Sequence, residues 1–564
     1  KGGGVYERYA KEISLTPEAR AALGIDDDVE DVINGEQLIS LILKAPCDLL
    51  WNGGIGTYVK ASSESNADVN DGTNDAVRVN ASELRAKVVG EGGNLGFTQL
   101  ARLEFARNGG RINTDAVDNS GGVDLSDHEV NFKILFSRLQ EKGKLSLEER
   151  NKILKEVAGD ACRDVLQNNA RQALLLTNSA RRSAKRIDYF KSLIHELHKA
   201  GYLNRNMDKL PDAETLRALA QKKQGLLRPE LAIVCSAVKM YLKDCLYSSP
   251  LILEEDILKE YLLDYFPEPV RSRWEDEILE HPLKREIIAT RIVNSIVDTM
   301  GATFVHRTCV NHGVSPMECI RYYIAAVKIL RFKGIREETR RFDTYDNNTL
   351  YLDLCQKSYR LLVNLILWLI GFHKANGSLM ALINLYRESY TNVIESLDSL
   401  LPYDTCLRFK EKLSSVLRLG IGERVAKIFA SAEIASDIFE YIWISNQSGA
   451  NYQTSAQTHL NFVEAFGLSM LYTNFSEISV TGRWENELLY TSLAEIRKGI
   501  CEMAVTAIQS GRTSQGAIEK FISQSDPAKR VKSLLSEPTD TGFTPSLIGI
   551  LARQIQEARS EFLL

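Results

Sequence analysis

Residues Ala86–Gly110 read AKVVGEGGNLGFTQLARLEFARNGG. A short apolar run, Ala86-Lys87-Val88-Val89-Gly90, closes on Glu91-Gly92-Gly93-Asn94. Phe97–Arg107 then carries Leu100, Leu103 and Phe105 at helical spacing. That order predicts a strand, a glycine turn and a helix. Outward toward the N-terminus the pattern repeats. Cys47-Asp48-Leu49-Leu50-Trp51 is stopped by Asn52-Gly53-Gly54, and Gly35–Lys44 before it places Leu38, Ile39 and Ile42 on one helical side. Arg111-Ile112-Asn113 is a weaker third strand. Strands alternating with short helices predict a parallel sheet. The glycine clusters fall at the carboxyl ends of the strands, where open α/β sheets bind ligands.

Three glycine turns carry an asparagine: Asn52-Gly53-Gly54, Gly92-Gly93-Asn94 and Asn119-Ser120-Gly121-Gly122. Glycine lets backbone approach a ligand closely, and an amide side chain both donates and accepts, so it suits a ribose hydroxyl or a carboxamide. Each can also be an ordinary turn closed by a local Asx bond. Gly90–Gly96 has spacing that partly mimics a dinucleotide fingerprint. The acid expected about 20 residues on is met only loosely by Asp115, so this turn is not read as the pyrophosphate loop. In Asp124-Leu125-Ser126-Asp127-His128-Glu129, a charged helix start has Ser126 or Asp127 as its cap. Alternatively Ser126 faces a polar substrate together with Asn119. His128 is read as structural or orienting rather than as an acid–base group.

The chain has 564 residues, 44% hydrophobic and 25% charged. That length suggests roughly three to four domains. The net charge of −5 gives no electrostatic footprint for nucleic acid or an anionic membrane. The longest apolar run, Leu361–Phe372, is too short for a bilayer and reads as a buried helix. Nine cysteines, with no Cys-x-x-Cys pair, fit reduced and mostly buried cytosolic thiols rather than a disulfide or zinc framework. His195 and His198 lack the His-Glu-x-x-His pattern of a zinc protease. Asp68–Asp75 looks like a calcium loop, but with Gly72 in sixth place the first position is Ala67 and the twelfth Arg78, so the ligand set fails.

Composition changes near residue 145. Residues 1–144 hold 18 of the 36 glycines and a net charge of −7. Beyond them the pattern is almost wholly helical: Leu145–Leu166 with Ser146 as cap, Ile187–Ala200, Leu231–Tyr247 started by Arg228-Pro229-Glu230, Leu283–Met300, Met317–Phe332, Thr349–Gly371, Leu379–Leu400, Asp404–Leu419, Gly422–Ser445, Ala456–Tyr472, Arg483–Ser510 and Thr544–Leu564. The expected architecture is therefore an α/β segment over 1–144 followed by a large all-α domain over 145–564, which may subdivide.

The string KVVGEGGNLGFTQLARLEFARNGGRINTDAVDNSGGVDLSDHEVN (Lys87–Asn131) resembles the cofactor domain of the large bacterial NAD-specific glutamate dehydrogenases. WNGGIGTY (Trp51–Tyr58), LSLEERNKIL (Leu145–Leu154), GLLRPELAIV (Gly225–Val234) and HPLKREIIATRIVNSIVDTMGATFV (His281–Val305) resemble the same family in the same order. The resemblance implies the second half of a Rossmann-like NAD domain followed by the helical C-terminal domain. It implies NAD as cofactor, L-glutamate and 2-oxoglutarate as substrate and product, a cytoplasmic homo-oligomer, and no nucleic acid or membrane partner. It places Asn94 on the nicotinamide-side ribose, Asn119 between nicotinamide and substrate, and Ser126 on the distal carboxylate of glutamate. Asn52, Gly53, Gly92 and Gly93 would line the nicotinamide pocket; Gly93 stands where the wider superfamily has alanine. No metal is implied. The family's catalytic lysine and aspartate are expected upstream, so a segment carrying only these turns should not turn over substrate by itself. The competing reading is a helical scaffold or regulatory module with a degenerate nucleotide-binding remnant. Its basic clusters, Arg181-Arg182, Lys185-Arg186 and Arg336–Arg341, read as solvated faces.

Overall fold

The computed structural model describes residues 3–25, 29–54, 56–249, 251, 256–373, 377–475, 478–480, 482–536 and 542–564. Ile55 of the first glycine turn lies outside the described residues. The protein is mostly helical with a few short strands, and it divides into two units at Arg307/Thr308. The compositional change near residue 145 falls inside the first unit.

Six short strands lie among the described residues of the first unit. β1 (Ile13–Ser14) and β2 (Val32–Ile33) pair antiparallel. β3 (Leu49–Asn52) and β6 (Val88–Glu91) pair in parallel, with Asn52 opposite Glu91. β4 (Val59–Lys60) and β5 (Val79–Asn80) are also parallel. The third apolar run contributes a single parallel bridge, Arg111 to Val88. The two predicted strands thus exist and are parallel, although each spans four residues. The helix after β6, α1 (Gln99–Arg107), is capped by Thr98, whose hydroxyl accepts from the Ala101 N–H. Val59, Val79, Val89, Phe97, Ala101, Phe105 and Ile112 form the small core between these elements.

The calcium-like stretch is organised by an internal cation. The Arg78 side chain is fully buried, and its guanidinium pairs with Asp75 and Asp71 and donates to the Thr57 and Asp71 carbonyls and to Asn66. Asp71 also accepts from the Thr57 N–H at 2.8 Å and from Asn74 at 2.8 Å.

Four long helices complete the scaffold of the first unit. α2 (Asp124–Glu141) buries His128, Phe132, Leu135, Phe136 and Leu139, the i, i+4, i+7 stripe of an amphipathic helix. Its cap position is Val123, so Ser126 lies in the first turn rather than at the cap. α3 (Leu147–Ser183) opens with a capping box between Ser146 and Glu149. It runs well past the expected end at Leu166. α4 (Arg228–Tyr247) starts on Pro229, and α5 (Lys284–Met300) stops at Gly301, where φ is 88°. α3, α4 and α5 pack against one another, and α2 packs on α3.

All described secondary structure of the second unit is helical. Its principal helices are α6 (Pro316–Ile329), α7 (Asn348–Phe372), α8 (Leu379–Glu395), α9 (Ala435–Ser448), α10 (Tyr452–Phe466), α11 (Arg483–Gln509) and α12 (Pro545–Leu563). α6 packs on α7 and α8, while α11 and α12 pack along each other and α11 also meets α9 and α10. Among the described residues four expected helices are broken, and Leu379–Leu400 divides at Ser396 into Leu379–Glu395 and Leu397–Leu400. Met317–Phe332 ends at Ile329 because Arg331 adopts φ 49°, and a new helix starts at Phe332. Gly422–Ser445 is two helices joined by a 3₁₀ turn at Ala432–Ile434. Ala456–Tyr472 breaks at Gly467, where φ is 80°. The apolar run Leu361–Phe372 is the buried end of α7, and no described helix is long and apolar enough to cross a membrane. All nine cysteines are free thiols; Cys235, Cys319 and Cys501 are buried, Cys162 is exposed and the other five are half-buried, fewer buried than expected.

Candidate functional site

The carboxyl ends of β3 and β6 bring two of the three asparagine turns into direct contact. The Asn52 carbonyl accepts from the Gly92 and Gly93 N–H groups at 2.9 and 3.2 Å. Its side-chain oxygen accepts from the Gly54 N–H at 2.9 Å, and Asn52 is buried. Asn52 is thus the brace between the two loops rather than a free ligand group. The backbones are so close at this point that a Cβ on Gly93 would lie 2.2 Å from Gly54 Cα and 2.5 Å from Gly54 N. Alanine, the superfamily residue, has no room there. Gly53 faces open space. The exposed Trp51 indole lies flat over Gly90 and Gly92, within 2.6 Å of where a Cβ on either would stand.

The third turn joins through side chains. Asn119 Nδ2 donates to Asn94 Oδ1 at 2.7 Å, and Asn119 Oδ1 accepts from the Gly122 N–H at 3.1 Å. Asn119 is buried, whereas Asn94 is exposed. With its oxygen committed to Asn119, Asn94 presents its amide N–H groups outward. The Asn119–Gly122 turn runs straight into α2, which carries the exposed Ser126 one turn on. Asn169 of α3 fastens this turn by donating to the Val117 carbonyl and to Ser120 Oγ, both at 2.8 Å, and Asn168 donates to Asp124 at 3.0 Å.

Beneath the turns lies a charged network that motif reading passed over. Glu91 is wholly buried and receives a bidentate pair from Arg102, Nε to Oε2 at 2.7 Å and Nη2 to Oε1 at 2.9 Å. Arg102 also meets Asp115 at 3.0 Å, and Asp115 accepts from the Leu95 N–H at 2.8 Å. Asp118 accepts from the Glu91 N–H at 3.1 Å and from Asn113 at 2.8 Å, and Arg228 donates to Asn113 at 2.9 Å. Burial is the strongest influence on Asp118 and pushes its carboxyl above the usual range. Burial weighs most on Arg102 too, but Glu91 and Asp115 outweigh it and hold the guanidinium firmly charged. Asp115 therefore steadies the Asn94 turn instead of reading a ribose. Arg102 is buried with its neighbours Ala101 and Leu103 on α1.

His128 is a packing residue. It is 1% exposed and stacks on Tyr265 with ring centroids 4.4 Å apart. Burial pushes its pKa down, which keeps the ring neutral.

The three turns meet in one cradle. Close-approach glycines border open space at Gly53, and an outward amide at Asn94 is fixed by Asn119. Residues 1–179 match the family model "Bacterial NAD-glutamate dehydrogenase, catalytic domain", and residues 223–557 match "Glutamate dehydrogenase, C-terminal". The NAD-specific glutamate dehydrogenase of Mycobacterium tuberculosis is 33% identical over 99% of this chain and 34% of its own length. That of Pseudomonas aeruginosa is 34% identical over 86% of the chain and 30% of its length. That of Halomonas elongata is 31% identical over 93% and 32%. The chain spans about a third of the length of these curated relatives. The C-terminal family model alone covers more than half of the chain, so the chain belongs to the large bacterial NAD-specific glutamate dehydrogenases.

Proposed function

We propose that this chain is part of a longer enzyme that oxidatively deaminates L-glutamate to 2-oxoglutarate and ammonium with NAD. The observation that carries the reading is the match of residues 1–179 to the bacterial NAD-glutamate dehydrogenase catalytic domain, with the bonded Asn94–Asn119 pair inside it. In this reading the β3–β6 pair and its bridge to Arg111 are the second half of a Rossmann-like NAD domain. The catalytic lysine and aspartate lie elsewhere in the longer protein. The assembly is a homo-oligomer in the cytoplasm.

The bound nicotinamide supplies the hydride acceptor. The residues of this chain bind and orient. Asn94 donates its free amide hydrogens to the ribose. Asn119, held by Gly122 and Asn94, stands between cofactor and substrate. Trp51, Gly53, Gly92 and Gly93 wall the pocket. The Ser126 hydroxyl donates to the distal carboxylate of glutamate at the N-terminal end of α2, where the helix dipole favours an anion. Asp124 and Asp127 share that turn and weaken the field, so the hydroxyl carries the contact. Positioning of this kind turns a bimolecular encounter into an oriented one.

The test is L-glutamate-dependent reduction of NAD against NADP by the full reading frame that contains this chain. Turnover with NAD and little with NADP is the expected result, with none from residues 1–564 alone. A folded full-length protein that reduces neither coenzyme overturns the reading.

A further inference from the structure

Three side chains of the second unit, none of which carries a role assigned above, converge. Glu440 on α9, His459 on α10 and Cys501 on α11 each offer a metal-ligating atom, and those atoms lie within 4.8 Å of one another. Their exposures are 0, 1 and 0%. His459 Nε2 stands 2.9 Å from Glu440 Oε2, yet both ring nitrogens are buried without a hydrogen-bond partner. The contact has the length of a hydrogen bond but not its direction. Two lone-pair atoms approach in this way when both aim at a third centre. A buried polar group left unpaired in a native fold calls for an ion or a water.

The charges point to a cation. Arg497 donates to Glu440 at 3.1 and 3.2 Å and to Asp437 at 2.7 Å. Two carboxylates against one guanidinium leave one negative charge, shared between the half-buried Asp437 and the wholly buried Glu440, and burial makes that charge costly. A divalent cation that displaces the Cys501 proton brings two positive charges and creates one thiolate, and the cluster becomes neutral.

We propose that Glu440, His459 and Cys501 hold a divalent metal ion of the zinc class, which ties α9, α10 and α11 together. Thiolate, imidazole and carboxylate are its ordinary ligands, and a fourth tetrahedral position is left for water. Arg497 lies outside the ligand set and fixes the Glu440 carboxylate, as second-shell donors do at such sites.

The experiment uses the full-length protein purified without metal-affinity resin, incubated with zinc chloride and desalted. Elemental analysis should find about one zinc per chain, lost in Cys501→Ser and in His459→Ala. Loading with cobalt(II) should give a thiolate-to-cobalt charge-transfer band that Cys501→Ser abolishes, a readout that serves even if His459→Ala fails to fold. Parent protein that retains no zinc overturns the proposal. Zinc retained equally by Cys501→Ser overturns it too, because the metal is then bound elsewhere.

Discussion

Gly93→Ala tests the close approach on which the candidate site depends. The added methyl would stand 2.2 Å from Gly54 Cα, where ordinary contact begins at 3.4 Å. Both neighbours are backbone, so no side chain can swing aside. The loops must part by about an ångström, and that strains the bonds from the Gly92 and Gly93 N–H groups to Asn52 and from the Gly54 N–H to Asn52 Oδ1. Overpacking of this kind costs roughly 1–3 kcal/mol, and each weakened hydrogen bond adds about 1 kcal/mol. A loss of about 4–6 kcal/mol is therefore expected in urea unfolding of the first unit, read as a lower midpoint at unchanged slope. Because Asn94 follows directly, the KM for NAD in the full-length enzyme should rise while that for glutamate changes less. Gly53→Ala is the matched control: nothing lies within 4 Å of its Cβ, and its effect should stay within about 0.5 kcal/mol. If Gly93→Ala unfolds at the control's midpoint, the steric argument is wrong.

Arg102→Met strands the Glu91 carboxylate in a dry site and should cost about 3–5 kcal/mol; the double variant Arg102→Met/Glu91→Gln should recover part of that loss, and a double variant no better than the single one would contradict the pairing. Ser126→Ala should raise the KM for glutamate roughly ten- to a hundredfold, the equivalent of about 1.5–3 kcal/mol for a hydrogen bond to a charged group, and an unchanged KM would remove Ser126 from the substrate site. His373 reaches the Tyr386 hydroxyl at 2.7 Å, and burial lowers its pKa from 6.5 to about 4. Between those values the unfolded chain binds the extra proton, so stability of the second unit should be level above pH 6.5 and fall as pH drops toward 4. His373→Gln should flatten that slope in a pH series of thermal melts, whereas an unaltered slope would assign it to other groups.

What could be read in advance was local. The cap at Ser146, the apolar runs of β3 and β6, and the glycines that end them all act within a few residues, and their chemistry is written in order along the chain. The Glu91–Arg102–Asp115 network was not legible, because its partners are 11 and 13 residues apart and meet only when strand, turn and helix are folded. Polar Gln167-Asn168-Asn169 looked like the end of a helix. It is the middle of α3, polar because Asn168 and Asn169 face the Asn119 turn rather than solvent or core. At Gly467 the stop signal was present and the apolar spacing overrode it; at Arg331 a left-handed residue breaks the helix with no glycine to announce it.

The buried Arg78 has a consequence for how the first unit responds to its surroundings. A loop that resembles a calcium site normally trades its ion with the medium, and its order then follows the concentration of that ion. Here the positive charge is covalently attached to the chain that it organises. It cannot dissociate, be chelated or be replaced by magnesium. The segment that leads from β4 into β5 is therefore a permanent fixture, deaf to divalent ions, and any signal that tunes this protein has to enter elsewhere.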